Sequence, residues 1–170
     1  VDLLVITLRL IHIVFGAVWV GMAVFTAFFM VPAIQDAGPD GGKVMAALQR
    51  RGIMIVLPVL ALGTMISGIW LYLRAAAGMH AEFARTPVGM AFGLGGLLAI
   101  VAYALGIAMV RPSMLRAAAL SQSAATAKPE AQQALRAEIV RLRARGARTS
   151  RLVGAMLILA AAAMAVARYL

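Results

Sequence analysis

His12 lies one helical turn after Arg9, and the two interrupt an apolar run from Leu3 to Ile34. Residues three apart share a helix face. A guanidinium and an imidazole inside a run of membrane-spanning length are costly and therefore informative, although Arg9, and Arg74 and Arg168 near helix ends, can also snorkel to the headgroups. The same face continues through Gly16, Trp19, Ala23 and Thr26 to Met30. An imidazole at that depth has two uses. It ties helices together through a hydrogen bond, with Thr64, Ser67 or Tyr103 as partners, or it is an axial ligand to haem iron.

For haem b or a related porphyrin, the cofactor-binding residues expected are His12, Arg9, Arg74, Trp19 and Gly16. Arg9 and Arg74 would pair with the propionates as forked donors. Gly16 would admit a flat ring to the backbone, and Trp19 and Phe15 would pack on it. The chain has two histidines, so a second axial ligand would be His80, a methionine, water or a partner's residue. Copper is the alternative. His12, His80 and Met79 then form the metal set, because thioether sulfur suits Cu(I). The eleven methionines are otherwise dispersed, with no Met-x-Met or Met-x-x-Met spacing.

No catalytic motif is present. There is no His-Glu-x-x-His, no phosphate-binding glycine loop and no carboxylate inside an apolar run. The absence of cysteine excludes disulfides, thiolate metal sites and iron–sulfur clusters.

The elements that must position these residues follow from composition. The chain is 64% hydrophobic and 13% charged, with a mean hydropathy of +0.95. Soluble domains are nearer half apolar and a quarter charged. Four runs reach the roughly 20 residues needed to cross a bilayer core: residues 3–34, 53–73, 88–110 and 152–167. The expected fold is an all-α, integral membrane four-helix bundle forming a single domain over residues 1–170. The first run is too long for the core of a signal peptide and lacks a basic leader, so a span is expected there.

Between the runs lie a turn-rich stretch, Gln35–Lys43, then an interfacial helix over Val44–Arg51. Thr86-Pro87 reads as the start of the third span, with threonine as cap and proline at the first helical position. Arg111-Pro112 is expected to end that span. A break near Thr126 is followed by a helix start at Pro129. Leu135, Ile139 and Leu142 then form an apolar stripe among arginines, which reads as a basic interfacial helix leading into the fourth span.

The net charge is +10. Lys43, Arg50 and Arg51 lie in the first connection, and the segment from Arg111 to Arg151 is the most basic of all. With four spans these two connections share a side, and the positive-inside rule makes it cytoplasmic. The expectation is therefore a bacterial inner membrane protein with both termini periplasmic. The basic segment would meet anionic lipid headgroups rather than nucleic acid. Arg9, His12, Arg74, His80, Arg85 and Arg168 then belong to one outer layer. Gly93, Gly95 and Gly96 suit close helix contacts, within the bundle or with a membrane partner or second copy.

The stretch Leu8-Arg9-Leu10-Ile11-His12-Ile13, followed by Trp19-Val20-Gly21, resembles the opening helix of the CopD-like membrane proteins. That group includes the copper-resistance D domain and is similar to the HemJ-type protoporphyrinogen oxidases. Pro32-Ala33, Ser67-Gly68-Ile69-Trp70-Leu71 and Val166-Ala167-Arg168-Tyr169-Leu170 extend the resemblance over most of the chain. It implies a four-helix membrane protein handling haem, porphyrin or copper, with His12 as the residue carried over. The HemJ-type enzymes also use a lysine in a later helix, whereas Lys43 and Lys128 both lie in connections here. The combined expectation is a membrane protein binding haem b or a porphyrin near its outer side, for electron transfer or cofactor handling. The alternatives are copper handling and a structural or accessory role in a membrane complex.

Overall fold

A computed structural model describes residues 2–170. Its order is α1 (Leu3–Asp36), α2 (Pro39–Arg50), α3 (Ile53–Ala75), α4 (His80–Phe83), α5 (Pro87–Thr126) and α6 (Pro129–Tyr169). Among the described residues there is no strand. Helices α1, α3, α5 and α6 are each long and apolar enough to cross a membrane. They run alternately up and down, and α1 packs on α3, α3 on α5, α5 on α6, and α6 back on α1. Both described chain ends and the α3–α5 connection share one end of the bundle, called here the terminal end.

The helix boundaries follow local chemistry. Asp2 caps α1 by accepting from the backbone of Leu4 and Val5. Thr86 caps α5 through Gly89 N–H at 3.0 Å, with Pro87 at the first position. Proline also opens α2 and α6. The first connection is tighter than its glycine and proline content suggests. Only Ala37 and Gly38 turn, with Gly38 at φ 56°, and Asp40, Gly41 and Gly42 are already helical.

The outward surface is what lipid requires. Leu10, Ile13, Ile66, Leu97 and Leu159 are each about three-fifths exposed. Such a continuous apolar exterior belongs against a bilayer. The interior is a layer of small residues around two large ones. Ala61, Ala99, Ala102 and Ala160 surround Trp19 and Leu157. Helices in lipid gain little from apolar transfer and associate through close packing, which small residues allow.

Two expectations are corrected. Arg111-Pro112 does not end the third helix, because α5 continues to Thr126. An interior proline lacks an N–H and its ring collides with the carbonyl four residues back. Here a π turn over Gly106–Val110 precedes it, with Arg111 N–H bonded to Gly106 C=O, and the wider turn absorbs the misfit. The same device recurs in α1, where the π turn Thr26–Met30 precedes Pro32.

The second correction concerns the basic segment. Residues Pro129–Val166 form one unbroken α-helix, so its basic half cannot turn aside to lie in the membrane plane. It pairs instead with the extension of α5 as an antiparallel hairpin. Ile139 of the expected apolar stripe is buried against that partner, and Gly146 faces Ser113. Helices of 40 and 41 residues are about 60 Å long, roughly twice a bilayer core. The hairpin therefore projects well past α3, of 23 residues, and less far past α1, of 34.

Candidate functional site

The α1–α3 seam is built by reciprocal insertion of side chains into glycine positions. Phe15 lies over Gly63, Thr64 over Gly16, and the His12 ring over Gly68. A Cβ at Gly68 would sit 2.6 Å from His12 Cε1 and 2.9 Å from Nδ1. Only a bare backbone admits the imidazole at that distance.

This contact fixes the histidine's chemistry. His12 Nδ1 is 2.8 Å from the Thr64 carbonyl oxygen. A carbonyl can only accept, so Nδ1 carries the proton and donates. The Ser67 hydroxyl lies 3.5 Å from the same nitrogen and donates to the Gly63 carbonyl at 2.6 Å. In a neutral ring, Nε2 is then the nitrogen with a free lone pair. A ring N–H held by a backbone carbonyl is how metal-binding histidines are commonly oriented.

The other expected residues are distributed as follows. Arg9 is exposed on α1, one turn toward the terminal end from His12. Arg74, at the end of α3, pairs with Asp2 at 3.0 Å, with both side chains substantially exposed. Trp19 does not flank His12. It is 6% exposed in the central core, two turns further along α1. Gly16 is closed off, because Thr64 Cγ2 stands 3.3 Å from where its Cβ would be. A flat ring thus has no access at Gly16, and the expectation for these two residues is corrected.

The proposed copper set is also separated along the bundle axis. His12 is level with Gly68, seven residues and about 10 Å before the end of α3. Met79 and His80 lie beyond that end and are exposed. Among the described residues no cluster of three or more His, Cys, Asp or Glu side chains is placed to hold a metal.

A cavity of about 130 Å³ occupies the opposite half of the bundle. Trp19 and Ala102 stand at its inner end, and Arg111 and Ser150 at the hairpin end. Tyr103 and both π turns contribute to its wall. So do Met30, Met45, Met54 and Met114, from four different helices. Arginine 111 is the one charged residue in that wall among the described residues. An apolar cavity of this size takes a single ring or a length of alkyl chain, not a macrocycle.

Comparison with family models, curated proteins and solved structures found no match for this chain.

Proposed function

We propose that this membrane bundle binds haem b or a related porphyrin at the terminal end of the α1–α3 seam, as a relative of the CopD-like group. The supporting observation is the orientation of His12. Its Nδ1–H is committed to the Thr64 carbonyl, which leaves Nε2 as the ligating atom. The seam's neighbouring surface is apolar, with Ile13 and Ile69 more than half exposed. Arg9 and Arg74 would hold the propionates. An exposed ion pair such as Arg74–Asp2 contributes only about 0–1 kcal/mol, so an incoming carboxylate competes with it readily. A haem bound there would supply one-electron chemistry. His12 supplies the lone pair, and Thr64 and Ser67 keep the ring oriented.

The test is the absorption spectrum of detergent-purified protein titrated with haem. We expect a Soret band with saturable binding, lost in His12→Ala. A second reading rests on the same hydrogen bond: His12 serves only to clamp α1 to α3, as in an accessory subunit. In that case His12→Ala lowers the melting temperature, and the wild type binds no haem.

The proposed location is a bacterial inner membrane with the hairpin in the cytoplasm and both described ends outside. It is supported by the concentration of Lys and Arg at the hairpin end. A topology reporter fused after Leu170 should score as periplasmic; a cytoplasmic signal would place the His12 layer on the other side.

A further inference from the structure

Independently of His12, we propose that the cavity between the two π turns is a binding site for an anionic amphiphile with a single alkyl chain, its head group held by Arg111. Three observations converge on it. The wall is almost wholly apolar, and Arg111, an exposed residue, borders it at its hairpin end. An arginine there recognises a carboxylate or phosphate through two parallel hydrogen bonds. The cavity is also elongated in the direction a lipid chain would take. Arg111 lies nine residues beyond Ala102 on α5, which is about 14 Å along the axis. A head group on Arg111 therefore brings the middle of an alkyl chain to Trp19.

The wall is furthermore deformable. Methionine is unbranched and polarisable, so four of them from four helices adapt to a flexible chain better than branched residues would. Both π turns contribute to it, through Thr26 and Met30 on one side and Gly106, Ile107 and Val110 on the other. Wide turns of this type recur at functional sites.

The chain's two tryptophans make the test direct. In the Trp70→Phe protein, Trp19 is the sole indole and reports on the cavity's inner end. The probe is stearic acid brominated at mid-chain, titrated into protein in detergent. We expect saturable quenching of Trp19. The methyl ester of the same acid should bind about tenfold more weakly or worse, since it forfeits a charge-assisted pair. Arg111→Gln should weaken acid binding similarly, and Arg111→Lys, which keeps the charge but not the fork, should fall between the two. Equal quenching by acid and ester, no response to Arg111→Gln, or quenching that rises without saturation would each overturn the proposal.

Discussion

Gly68→Leu should lower the stability of the bundle by about 1–3 kcal/mol, the usual cost of forcing extra atoms into a packed interface. The reason is geometric. The first side-chain carbon would meet the His12 ring at 2.6 Å, so either the ring leaves or α1 and α3 separate. In either case the bond from Nδ1 to the Thr64 carbonyl is lost. For a chain of this size the apparent melting temperature in detergent should fall by roughly 3–10 °C. The control is Gly21→Leu, where a new Cβ meets nothing within 4 Å and faces lipid. That variant should melt with the wild type. Equal melting of Gly68→Leu and the wild type would mean that His12 does not press on the α3 backbone.

Leu157→Ala should cost about 2–3 kcal/mol, at the lower end of the range for buried leucine. Leu157 is 1% exposed and meets the alanine-rich layer around Trp19. In lipid the truncated methyl groups lose no favourable transfer from water, so the loss is van der Waals contact alone. Leu159→Ala, at a position 59% exposed on the same helix, removes as many atoms from a lipid-facing site and should be nearly silent. If both variants melted alike, the buried layer around Leu157 would not be what holds the four helices together.

These contrasts show what a linear reading can and cannot reach. The four spans are legible because run length and bilayer thickness set them almost alone. The starts at Pro87 and Pro129 are legible because proline favours the first helical turn. The partners of His12 were also within reach, since Thr64 and Ser67 lie one turn apart on the second span. The bond goes to the Thr64 carbonyl rather than to its hydroxyl, and that depends on Gly68 letting the ring touch the backbone.

Trp19 sits away from His12 for a related reason. It shares a helical face with His12, but at the depth of His12 that face meets α3, whereas two turns deeper it meets the whole core. A helical wheel has no axis of depth. The continuation of α5 past Pro112 was hidden because the π turn that rescues it leaves no composition signal. The Arg74–Asp2 pair joins residues 72 positions apart, and only the folded bundle sets them side by side. The methionines around the cavity are dispersed in sequence and gathered in space for the same reason.

The most direct measurement of the central claim is chemical rescue at position 12. His12→Gly removes the proposed ligand and leaves room for exogenous imidazole. If Nε2 of His12 binds haem iron, the variant should lack the Soret band of the haem-loaded wild type, and added imidazole should restore it. A wild type with no Soret band, or a His12→Gly protein that binds haem unchanged without imidazole, would contradict the assignment.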